Sequence, residues 1–68
     1  MTAWELRAEV LRRAAQEGPI YAGSGYGPLF EEMMLARQDG LLREVGVVGV
    51  TYLEITEAGL DEYKALRR

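Results

Sequence analysis

Glycine and proline cut this chain into short pieces, and no other feature limits its fold so strongly. Gly18-Pro19, the run Gly23-Ser24-Gly25-Tyr26-Gly27-Pro28, Gly40 and the pair Gly46 and Gly49 interrupt a sequence of 68 residues. Glycine supplies the left-handed backbone that ends helices and tightens turns, while proline lacks the amide hydrogen that a helix or sheet ladder needs. Only short helices and strands fit between such stops. A chain of this length holds one small core, so a single domain over 1–68 is expected, with no second domain and no deep cofactor cleft.

Between the stops the hydrophobic periodicity is readable. Thr2-Ala3-Trp4-Glu5 fits a capping box, with Met1 placed to staple onto Leu6, so a helix starts at once. Ala3, Trp4, Leu6, Ala8, Val10, Leu11, Ala14 and Ala15 spread over about 200° of it, which predicts a broad buried face. Arg7 falls within that arc. Its expected state is a stem along the core edge with the guanidinium in water, the alternative being a buried ion pair. Ile20-Tyr21-Ala22 has room for a short strand. A second helix capped by Gly27 or Ser24 runs from Pro28 to Asp39, with Leu29, Phe30, Met33, Met34 and Ala36 on one side. Glu31, Glu32, Gln38 and Asp39 lie on its solvated side, together with an isolated Leu35.

Leu41 to Val45 and Val50 to Ile55 are rich in β-branched residues around Gly46-Val47-Val48-Gly49, which predicts a hairpin pairing residue 45 with residue 50. If Leu53 and Ile55 point inward, alternation sends Val50, Tyr52 and Glu54 outward beside Val45 and Arg43. Thr56 is then the cap of a last helix with Leu60, Tyr63 and Leu66 on its inner row. The expected class is α+β, in the order helix, strand, helix, hairpin, helix, with a small antiparallel sheet.

Cysteine and histidine are both absent, which removes disulfides, thiolate and imidazole metal sites, and nucleophile systems built on Cys or His. Neither a cofactor nor a metal is expected, and the chain reads as non-enzymatic. Gly23 to Gly27 before a helix lacks the Gly-Lys-Ser/Thr ending of a phosphate loop and reads as a turn. Glu31 and Glu32 point about 100° apart on a helix and so do not converge as a carboxylate pair. Early charges at Glu5, Arg7, Glu9, Arg12 and Arg13 do not suit a secretion signal, and no apolar run approaches a membrane span. A cytoplasmic protein with no membrane association is the expectation.

Three stretches carry a family resemblance. Gly18-Pro19-Ile20 resembles the entry to the first strand of a winged helix. Leu35-Ala36-Arg37-Gln38-Asp39-Gly40-Leu41-Leu42 resembles the passage from recognition helix to wing in MarR-type and PadR-type regulators, with Ala36 at the usual leucine position. Tyr52-Leu53-Glu54-Ile55-Thr56-Glu57-Ala58-Gly59-Leu60 is similar to the Leu-Thr-Glu-x-Gly junction between the second wing strand and the C-terminal helix. The matches cover the C-terminal half and Gly18 to Ile20. The chain departs from the family in having one helix and a glycine-rich loop between first strand and wing, where a full module has two helices. It thus resembles a minimal winged helix of the kind found in small bacterial and phage proteins.

The resemblance implies a transcriptional regulator that places the recognition helix in the major groove of DNA and the wing on the backbone. Arg37, Gln38, Arg43 and Ser24 are the candidate nucleic-acid contacts. Tyr21 and Tyr26 are placed to stack on single-stranded bases or simply to pack. The charge opposes this reading. Eleven acids outnumber eight bases for a net −3, and the second helix holds Glu31, Glu32 and Asp39 against Arg37. Arg12, Arg13, Lys64, Arg67 and Arg68 form a basic patch only if the first and last helices lie side by side. The competing partner is a protein, or a second copy in a homodimer, held by an apolar wing of Val45, Val47, Val48, Val50 and Tyr52.

Overall fold

The structure is a computed structural model describing residues 2–23 and 27–67. Its elements are α1 (Ala3–Gln16), β1 (Ile20–Tyr21), α2 (Pro28–Gln38), β2 (Leu42–Val47), β3 (Val50–Ile55) and α3 (Glu57–Leu66). This is an α+β fold in the expected order, with one antiparallel sheet arranged β1-β3-β2.

Local chemistry accounts for the start of each helix. At the start of α1 the Glu5 amide donates to Thr2 Oγ1 at 3.3 Å and the Thr2 amide donates to Glu5 Oε1 at 3.0 Å, closing the capping box. The staple partner Met1 lies outside the described residues. Gly27, not Ser24, is the N-cap of α2, and Pro28 takes the first helical position, where its missing amide hydrogen costs nothing. Thr56 Oγ1 accepts from the Gly59 amide at 3.0 Å and donates to the Gly40 carbonyl at 2.7 Å. One hydroxyl therefore caps α3 and ties it to the turn after α2.

The core gathers Val10, Leu11 and Ala14 of α1, Met33 and Ala36 of α2, Leu41, Leu42 and Leu53 around the sheet, and Tyr63 of α3. Tyr63 is buried with its hydroxyl satisfied, accepting from Gln16 Nε2 at 2.7 Å. The inner row of α3 differs from the expected one. Leu60 is 38% exposed, and Gly59 is the residue that faces the sheet. A Cβ at Gly59 would run into the Leu41 carbonyl oxygen and the Ile55 side chain, so only glycine allows α3 to approach this closely. Leu60, one position on, is turned about 100° away from the contact.

The broad face of α1 is likewise only partly covered. Val10, Leu11 and Ala14 are buried, while Ala3 and Trp4 are exposed, Trp4 by 59%. An arc of about 200° is wider than the helices of so small a fold can shield.

The hairpin register differs by two residues from the expected pairing. Val47 faces Val50, Val45 faces Tyr52 and Arg43 faces Glu54, so β2 runs to Val47 and only Val48-Gly49 remain in the turn. Both turn residues have positive φ, 48° at Val48 and 79° at Gly49, as in the two-residue turns whose twist matches that of paired strands. A shift of two leaves the pleat unchanged, so the inward and outward sets stand as expected. Leu53 is fully buried on the inner side and Ile55 partly so.

Candidate interaction surface on the hairpin

On the outer face of the sheet, one row crosses all three strands. Tyr21 pairs with Tyr52, and Tyr52 pairs with Val45. The two tyrosine rings lie 5.9 Å apart at 53°, a tilted contact favourable for aromatic pairs. Tyr21 and Val50 remain exposed, and Val45 and Tyr52 are half-buried. Arg43 and Glu54 form an ion pair at the base of this face. Val47 contributes backbone to β2, and its side chain lies outside the described set.

Among the described residues, the hairpin continues beyond β1 as two strands only. β1 pairs with Leu53 and Tyr52, and the last link is the Ala22 amide donating to the Thr51 carbonyl at 3.0 Å. On the inner side of this distal part Glu44, Gly46 and Thr51 are all exposed, although Arg37 of α2 reaches Glu44. At its tip Val48 is 97% exposed with φ at 48°. A β-branched residue in the left-handed region is strained, and this one makes no compensating burial.

The candidate nucleic-acid contacts do not form a cationic surface. Arg37 Nε lies 3.1 Å from Glu44 Oε1, and Arg43 is held by Glu54. Gln38 is exposed at the end of α2, and Ser24 lies outside the described residues, as do Tyr26 and Arg68. In the anticipated patch on the first and last helices, the arginines of α1 are engaged by acids. Arg12 and Arg13 both reach Glu9, with Arg12 Nη2 at 2.5 Å and Arg13 Nε at 3.7 Å, and the Arg67 guanidinium sits 5.3 Å from the Tyr63 ring centroid. The bond to Glu9 holds the Arg12 pKa above its ordinary value against a smaller effect of burial.

Arg7 is engaged in the same way, contrary to the expectation of a solvated guanidinium. Its Nε donates to Glu32 Oε1 at 2.6 Å and its Nη2 lies 2.8 Å from Asp39 Oδ2. Glu32, expected on a solvated face, is only 7% exposed because α1 packs over that side of α2. Burial alone would lower the Arg7 pKa, and the bonds to Glu32 and Asp39 reverse this, leaving it raised. These are groups neutralising one another, not groups waiting for a ligand.

A second exposed apolar feature was hidden in the sequence. Trp4 stands between a groove of about 440 Å³ floored by Ala8, Tyr63 and Leu66 and one of about 370 Å³ floored by Ala3, Leu35 and Leu66. The excess width of the α1 arc was the one signal for it. Among the described residues no group of acidic side chains is placed to hold a metal ion, and no helix is long and apolar enough to cross a membrane. The chain matches no described protein family, no curated protein and no solved structure.

Proposed function

We propose that this chain is a non-enzymatic protein-interaction module that works through its hairpin. The observation carrying this reading is the contrast on one element. The arginines suited to DNA, Arg37 and Arg43, are occupied by Glu44 and Glu54, while Tyr21, Tyr52, Val45, Val50 and Val48 present apolar surface on a ribbon with both faces open. Contiguous apolar surface of this kind is characteristic of interfaces, and an isolated two-stranded ribbon gains stability from added strands. Val48 strengthens the case, since strain at an exposed tip contributes nothing to the chain alone.

The winged-helix resemblance supports a different reading, a nucleic-acid-associated regulator. One titration separates the two. With duplex DNA at low salt, the interaction reading expects no saturable binding, whereas a regulator would bind with an affinity falling steeply as salt is added and weakened in Arg37→Ala. Sedimentation over roughly 1 μM to 1 mM provides the positive side. Wild type is expected to self-associate and Tyr52→Asp to remain monomeric; monomeric wild type throughout that range contradicts the reading.

A further inference from the structure

The backbone hydrogen bonds show which edge of the hairpin is open. In an antiparallel ladder a residue's N–H and C=O point to the same neighbour, and the direction alternates along the strand. The Thr51 carbonyl accepts from Ala22 of the β1 side, so Val50, Tyr52 and Glu54 face β2, in agreement with the Thr56 amide donating to the Leu41 carbonyl at 3.0 Å. Their partners Val47, Val45 and Arg43 therefore face β3, and the backbone groups of Glu44 and Gly46 point away from the sheet. Among the described residues, the β2 edge thus offers an unpaired ladder where neither face of the ribbon is covered by a helix.

Resting on the reading of the hairpin as an interaction surface, we propose that the occupant of this edge is a second copy of the chain, paired antiparallel so that Val45 lies directly opposite the partner's Val45. Three observations select this occupant and register. First, the row Tyr21–Tyr52–Val45 ends at the edge on an apolar residue, so a two-fold axis at Val45 continues it across six strands as one apolar row. Second, this register sets Glu44 opposite the partner's Gly46, the two residues whose outward backbone groups then bond to each other. Sliding by one residue on each chain toward the strand start sets Glu44 against its own copy, which crowds two Arg37–Glu44 ion pairs on the axis and loses the apolar Val45 contact. Sliding the other way centres the contact on Gly46 and runs off the end of β2. Third, Glu44, Gly46 and Thr51 are exposed on the inner side, where Arg37 of α2 is already engaged by Glu44, so the edge beside Gly46 is not buried.

The proposed contact of residue 45 with its own copy is directly testable. Val45→Lys and Val45→Asp each place like charges across the axis and are expected to sediment as monomers at concentrations where wild type is dimeric. Their equimolar mixture is expected to associate at least about tenfold more tightly than either alone, because the lysine then faces the aspartate. Since the chain has no cysteine, Val45→Cys is expected to oxidise to a disulfide dimer far faster than Thr51→Cys, which stands on the inner strand away from the edge. Circular dichroism of each variant at low concentration confirms that the monomer is folded. A wild-type dimer disrupted by Tyr52→Asp, with no gain on mixing and no faster oxidation of Val45→Cys than of Thr51→Cys, would overturn the edge pairing while leaving the hairpin as the interaction surface. A wild type that never dimerises would overturn both.

Discussion

At the scale of single residues, the informative positions are those where a local preference is overridden. Val48 occupies the left-handed region in a turn type that favours asparagine or glycine. Val48→Asn is therefore expected to stabilise the folded chain by about 1 kcal/mol in thermal or urea unfolding. Arg7 lies inside an apolar arc because Glu32, buried at 7% exposure, needs a cation. Arg7→Met is expected to cost about 1 to 3 kcal/mol by leaving that carboxylate unpaired, and adding Glu32→Leu is expected to recover most of the loss, as a double-mutant cycle would show. The sequence exposes the anomaly at Arg7 but not its outcome, because the partner comes from another helix, 25 positions away. Trp4 is the converse case. Its amphipathic position is readable from periodicity, yet its exposure depends on how far α3 and Leu66 extend over α1.

At the scale of elements, capping and close approach set where each piece begins. Bonds from the Thr2 backbone and hydroxyl lower the Glu5 pKa below the ordinary carboxylate value. A lowered folded pKa means a contribution that is present above the unfolded value and lost as pH falls through the folded one. Helix α1 is therefore expected to lose end stability in acid, seen as a smaller amide protection factor at Glu5 relative to the unfolded chain at the same pH, and Glu5→Gln is expected to flatten that dependence. Gly59 sets the packing of α3 by admitting the Leu41 carbonyl and Ile55. Gly59→Ala is expected to cost about 2 to 3 kcal/mol in unfolding, despite alanine's better helix propensity, because the approach must open. A near-neutral value would place α3 further from the sheet. Most element boundaries were legible from caps and glycines. The hairpin register was not, since a four-residue and a two-residue connection fit the same glycines and differ only in whether Val48 accepts positive φ.

At the scale of the whole molecule, the chain divides into a packed body and a projecting ribbon. The body holds α1, α2, α3 and the base of the sheet around Leu11, Leu42 and Leu53, and the arginines of α1 are held there by acids. The ribbon carries the outward apolar row, of which alternation made Val45, Val50 and Tyr52 legible but not Tyr21, and the open edge, which depended on strand order and so on where the two-residue β1 docked. A dilution series of heteronuclear correlation spectra tests most directly whether this ribbon, and not the Trp4 grooves, is where the protein meets its partner. Concentration-dependent shifts are expected to be largest at Glu44, Val45, Gly46 and Tyr52 and small along α1 and α3. Shifts centred on Trp4 and Leu66, or spectra unchanged by concentration, would contradict that role for the ribbon.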